Sequence, residues 1–218
     1  MIDFAGDAVL CDLDGTLVDS SASVLRAWHR VSAELGIPFA AFEPYVHGIP
    51  APEVFATVAP QLSAADVAAI SERMLAEQAD DTDGVTATPG ASAALSALPP
   101  TRWAIATSGD RRLATARIAA AGLDAPRVLV TSDDVRAGKP DPECYLLAAA
   151  RLGFPPARCL VVEDAPAGVS AGAAAGMPVL GVLTTYTDLV APMTVPDLST
   201  VDIRLGEKGV RVIARLTP

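Results

Sequence analysis

Beyond residue 89, short apolar runs alternate with stretches whose apolar positions return every three to four residues. Residues 103–107, 127–131, 159–163 and 179–182 have strand length and composition. Between them, residues 90–98, 110–121, 142–152 and 165–175 carry helical spacing, with Gly122, Gly153 and Gly176 placed as stops. Such alternation predicts an α/β fold, a Rossmann-like parallel sheet covered by helices. An earlier apolar run, Ala8 to Cys11, predicts a buried strand over residues 9–12. A last edge strand is predicted at Val201-Asp202-Ile203.

Residues 20 to 88 behave differently, being Ala-rich with helical spacing and no clear strand. Ser20 or Ser21 can cap a helix running to Glu34, ended by Gly36 and Pro38, and Ser63 opens a second through Ala79. The acidic run Asp80-Asp81-Thr82-Asp83-Gly84 marks the exit of this insert, read as a solvated hinge in preference to a metal site. Pro89-Gly90 marks re-entry. The expected organisation is therefore a core domain of residues 1–18 and 85–218 and an inserted helical cap of residues 19–84.

Composition narrows the function classes. With 218 residues, 51% hydrophobic and 19% charged, the chain can bury a sizeable core. A formal charge of -10 excludes a nonspecific nucleic-acid binder, because phosphate backbones attract basic surfaces. Residues 165–187 carry no charge, but Pro166, Pro178 and glycines at 168, 172 and 176 read as a small-residue helix, a turn and a buried strand, not a membrane span. Cys11, Cys144 and Cys159 read as buried thiols of a reducing compartment, and with no secretory signal visible the expected location is the cytoplasm.

The densest chemistry is Asp12-Leu13-Asp14-Gly15-Thr16. A strand ending at Asp12 projects residues 12 and 14 to one side of its carboxyl end, where open parallel sheets hold their ligands. Alone, this pattern also fits a solvated turn or a calcium loop. Thr107-Ser108 ends another strand in a hydroxyl pair suited to phosphoryl oxygens. Lys139 lies between Gly138 and Pro140 in a chain with only two lysines. Glu163-Asp164 ends a further strand just before a helix, where acids also serve as N-caps. Together with Asp12 and Asp14 these acids form a hard-oxygen set suited to magnesium.

These four motifs, in this order, resemble the haloacid dehalogenase superfamily, and the insert after the first motif resembles its members with a helical cap. The resemblance implies Asp12 as nucleophile and Asp14 as general acid and base, with Thr107, Ser108 and Lys139 binding the phosphoryl group. It implies Mg2+ held by Asp12, Asp164 and the Asp14 backbone carbonyl, with Glu163 either a ligand or a support. The runs His47-Gly48, Ala106-Thr107-Ser108-Gly109, Gly138 to Glu143 and Val162 to Val169 are similar to the sugar- and polyol-phosphate phosphatases, including 2-deoxyglucose-6-phosphatase and glycerol-3-phosphatase types.

The implied substrate is thus a small phosphorylated metabolite, with no nucleic-acid or membrane partner. Ile49 stands where that branch often has a basic residue. A phosphonatase would need a cap lysine, and residues 20 to 88 have none; a dehalogenase would lack Asp14. A mutase resembling β-phosphoglucomutase shares the four motifs but tends to carry a histidine where this chain has Val24. A phosphate-ester binding module without turnover is the non-enzymatic alternative. In the cap, Trp28 and His47 are the expected substrate contacts, with Arg26 and His29 as further candidates and Arg73 as a solvated charge.

Overall fold

A computed structural model describes residues 2–46, 49–207 and 209–214. Its central sheet has six parallel strands in the order Leu129–Val130, Trp103–Ala106, Ala8–Cys11, Cys159–Glu163, Val179–Val182 and Met193–Val195. From the first strand, the next two in sequence build outward on one side and the last three on the other, so the strand order reverses at Ala8–Cys11. That reversal opens a crevice at the carboxyl ends.

Both sheet faces are covered, which is why the inner strands are buried at every position. Helices Glu143–Leu152 and Pro166–Ala174 supply Tyr145, Ala148, Val169 and Ala171 to one face. Helices Ala91–Ser96 and Arg111–Ala120 supply Leu95, Ala114 and Ile118 to the other. Close packing of Pro166–Ala174 depends on its small residues: a Cβ at Gly172 would come within 2.8 Å of Val179 Cγ2 and 3.2 Å of Val161 Cβ.

Several strands differ from the sequence expectation. Residues 127–131 keep only Leu129–Val130 as strand, because the Thr131 N–H and hydroxyl both bond Asp134 Oδ2 and turn the chain. Val201 to Ile203 is not an edge of the main sheet. It begins strand Val201–Gly206, which pairs antiparallel with Gly209–Ala214, itself paired with Ile2–Gly6, an unanticipated strand. Alternation along this hairpin sends Ile203, Val210, Val212 and Ala214 into the core beside Val9 and Leu160. The main-sheet edge is Met193–Val195 instead.

Between the first two motifs stand helices Ser21–Leu35, Ala51–Val58 and Ala64–Asp80. They enclose their own cluster of Ala27, Trp28, Val31, Phe42, Val54, Phe55, Ile70 and Met74. Local signals set their ends: Ser63 and Asp66 form a capping box, and Gly36 at φ 66° closes the first helix in a left-handed conformation. The insert is tied to the core by a two-stranded antiparallel stem, Val18–Asp19 with Thr86–Ala87. At its base Thr88 donates its N–H to the Leu17 carbonyl and its hydroxyl to that of Thr16. No helix among the described residues is long and apolar enough to cross a membrane.

Candidate active site

Three adjacent strand ends bring the first, second and fourth motifs together. Asp12 follows strand Ala8–Cys11, Thr107 follows Trp103–Ala106, and Glu163-Asp164 closes Cys159–Glu163. Lys139 arrives on the loop before helix Glu143–Leu152, across a cis peptide to Pro140. Its ammonium lies 2.5 Å from Asp12 Oδ1 and 2.6 Å from Glu163 Oε1, almost wholly buried.

Glu163 is fully committed to holding that lysine. Oε1 also accepts the Tyr145 hydroxyl at 2.8 Å, and Oε2 accepts the backbone N–H groups of Asp164 and Ala165 at 3.0 and 3.1 Å. The carboxylate fits only because residue 168 lacks a side chain: a Cβ there would overlap Cδ and both oxygens of Glu163. Although a Glu163 oxygen lies within 4.8 Å of ligand atoms of Asp12 and Asp164, its acceptor positions are taken by protein donors. Glu163 therefore anchors Lys139, and Asp12 and Asp164 are the carboxylates left for a cation.

The electrostatics fit a divalent ion. Three buried carboxylates face one ammonium, an excess of two negative charges. Burial drives the Asp12 carboxyl well above the usual carboxylate range, Glu163 and Asp164 adding to the rise and Lys139 opposing it. Burial and Glu163 likewise push Asp164 to about 7 against hydrogen bonds from Thr185 and Thr16. The Lys139 ammonium, pulled down by burial, is held above the ordinary lysine range by Asp12 and Glu163. A dication beside Asp12 and Asp164 would neutralise the excess.

Asp14 turns elsewhere. Its Oδ1 accepts the Ser20 hydroxyl at 2.8 Å, and its Oδ2 lies 2.6 Å from Nη1 of Arg117. Gly15, at φ 85°, turns the chain directly after the second aspartate, and any Cβ there would collide with the Asp164 carboxylate. Thr107 is buried and accepts the Gly109 N–H at 3.1 Å, which leaves its hydroxyl proton to donate; Ser108 is exposed beside it.

The cap residues fare differently. Trp28, expected at the substrate, is 3% exposed and packs 5.4 Å from both Phe42 and Phe55, so its ring serves the cap's own core. His29 is exposed and stacks on Phe39. Arg26 is spent on Asp81 and the Asp83 carbonyl, and Arg73 pairs with Glu34. His47 lies outside the described residues. Arg117, Gln78 and Tyr145 were not anticipated. Arg117 and Gln78 carried a signal, each breaking an apolar helical stripe: Leu113, Ala114, Arg117, Ile118 and Ile70, Met74, Gln78.

A buried carboxylate, an anchored lysine and a cation-ready acid pair at a parallel-sheet crevice form a site suited to anionic esters. Residues 7–176 match the family model for haloacid dehalogenase-like hydrolases. The chain is 44% identical to hexitol phosphatase A of Escherichia coli, over 90% of this chain and 88% of that protein. It is 32% identical to 2-deoxyglucose-6-phosphate phosphatase 1 of Saccharomyces cerevisiae, over 96% of both. A hydrolase from Pseudomonas syringae shares its fold at a TM-score of 0.76 and 28% identity, over 88% of this chain and 94% of that one. The chain belongs to the haloacid dehalogenase-like hydrolase family.

Proposed function

We propose that the protein is a magnesium-dependent phosphatase of sugar or polyol phosphates that works through an aspartyl-phosphate. Asp12 and Asp164, with the Asp14 backbone carbonyl, would hold the ion. Bound there, magnesium would offset the repulsion between the Asp12 carboxylate and an ester dianion, about 4 kcal/mol for two unit charges at 4 Å and an effective dielectric of 20.

The protein's own groups account for the remaining chemistry. An Asp12 oxygen attacks phosphorus and the bond to the ester oxygen breaks; Asp14 gives that oxygen a proton, and the alcohol leaves. Asp14 then takes a proton from water, whose oxygen displaces Asp12 from phosphorus, and inorganic phosphate departs. Lys139 stabilises charge on the transferring group, and the Thr107 hydroxyl and neighbouring amides orient its oxygens.

The observation that carries this reading is the buried Lys139 ammonium seated between Asp12 and a fully anchored Glu163. The relatives' names support the substrate class. The test is phosphate release from a panel of hexitol, hexose, glycerol and glycolate phosphates, with magnesium and with chelator, while isomerised product is followed by chromatography. Chelator-sensitive release peaking on hexitol or sugar phosphates is expected, and Asp12→Asn should abolish it while leaving the fold intact. Isomer forming faster than phosphate would establish a mutase instead, and release by Asp12→Asn would refute the covalent route.

A further inference from the structure

Arg117 is a charged side chain 4% exposed, on the core helix Arg111–Ala120, where it reaches two different units. Nη1 pairs with Asp14 Oδ2, and Nη2 donates to Gln78 Oε1, each at 2.6 Å. Gln78 belongs to the cap helix Ala64–Asp80 and is itself buried, at 7% exposure. Nε of Arg117 is buried without a partner. Packing alone does not explain this contact, since burying a guanidinium and an amide where two elements meet is costly and apolar side chains of similar volume hold such joints as well or better.

The Asp14 carboxylate has its second anchor, Ser20, at the cap side of the stem, immediately before helix Ser21–Leu35. Each Asp14 oxygen is thus held by a group linked to the cap: Oδ1 directly through Ser20, Oδ2 through Arg117 and Gln78.

We propose that Arg117 is a positioning residue that sets the place of the Asp14 carboxylate and, through Gln78, makes that place depend on how the cap is seated. This rests on the phosphatase reading above, in which Asp14 handles the proton of the leaving alcohol and of the attacking water. The cap then does more than cover the crevice: whether Gln78 meets Arg117 sets where the Asp14 carboxylate lies and so whether it can transfer a proton.

The test compares two esters. An alkyl phosphate, the best substrate of the panel, needs a proton on its leaving oxygen, whereas 2,4-dinitrophenyl phosphate does not. Arg117→Met is expected to lower kcat/KM for the alkyl ester by ~10²-fold, within the range for general acid catalysis, and for the aryl ester by less than ~10-fold. Because water activation also needs Asp14 in place, the aryl ester should show a burst of about one equivalent of phenolate before slow turnover. Arg117→Lys should recover part of the alkyl-ester rate. Gln78→Leu, which removes only the cap's acceptor, should shift the alkyl-to-aryl ratio in the same direction by a smaller factor.

Equal losses on both esters without a burst would overturn the proposal. Should Arg117→Met fail to fold, an unchanged ester ratio in Gln78→Leu overturns it and a shifted one supports it. Wild-type protein that hydrolyses neither ester with any divalent ion would refute the phosphatase reading and this inference with it. Wild-type turnover with unshifted ratios in the variants refutes the positioning role alone.

Discussion

Gly168→Ala adds one methyl group in a helix, where alanine is ordinarily favoured by about 1 kcal/mol. In this protein the effect should reverse. The added Cβ would overlap the Glu163 carboxylate, and the glycine's φ is not in the left-handed region, so backbone strain contributes nothing. A carboxylate at the end of a flexible side chain normally steps aside cheaply. Glu163 cannot, because Lys139, Tyr145 and two backbone N–H groups hold it.

Overpacking costs ~1–3 kcal/mol, and weakening a hydrogen bond to a charged group costs ~1.5–3 kcal/mol. Against the alanine gain of about 1 kcal/mol, the expected net loss is ~1.5–5 kcal/mol. The functional loss should be larger in proportion, since a displaced Glu163 frees the ammonium that faces Asp12; a misplaced electrostatic stabiliser costs ~10²–10³ in kcat. Gly172→Ala is the control: it presses on Val161 and Val179 but does not touch Glu163. Urea denaturation and kcat measured well below each variant's unfolding midpoint separate the two effects. Gly168→Ala with wild-type kcat, or Gly172→Ala losing as much kcat for the same stability, would refute the reasoning.

Two further outcomes follow from the same geometry. Trp28→Ala should destabilise by ~3–5 kcal/mol in urea denaturation, as for large aromatic deletions in a core, while the KM of the residual folded enzyme stays near wild type; a raised KM with little loss of stability would return Trp28 to the substrate. Asp134 is held at about 2 by Arg151 first and Thr131 next, below the ordinary 3.8. A group depressed in the folded state adds stability that is complete above 3.8 and fades as pH falls toward 2. With Arg111 and Arg151 49% and 38% exposed, screening leaves ~1 kcal/mol. Asp134→Asn should therefore be less stable at pH 7 by that amount, with the gap narrowing below 3.8; a gap constant through acid titration would contradict this.

What the sequence disclosed depended on how locally each feature is determined. Asp12, Thr107, Glu163 and Asp164 each stand at or just past the end of an apolar strand, so their convergence follows from parallel-sheet topology alone. Lys139 was legible for its scarcity and the prolines around it. The committed role of Glu163 was not, because its partners Tyr145 and Lys139 come from other segments and its space depends on Gly168. Trp28 was misplaced for a related reason. An aromatic on a cap helix can face the crevice or the cap's own core, and only the packing of Phe42 and Phe55 decides. The C-terminal hairpin shows period-two alternation at Val210, Val212 and Ala214, but nothing local states that its partner is the chain's first strand.

The charge distribution links these points. A protein of net charge -10 repels a phosphate ester at long range, so recognition must come from within about one Debye length, ~8 Å at physiological ionic strength. Inside that radius the acid cluster is itself anionic, which gives each cation a separate task. Lys139 is fixed by Glu163 and cannot follow the substrate, Arg117 is spent on Asp14, and an added dication would complete the balance beside Asp12 and Asp164. Of the charged groups that the described residues gather here, Arg117 is bonded to the cap through Gln78 and Asp14 through Ser20. Through the proposed coupling of Gln78, Arg117 and Asp14, the seating of the cap would then set the timing of proton transfer.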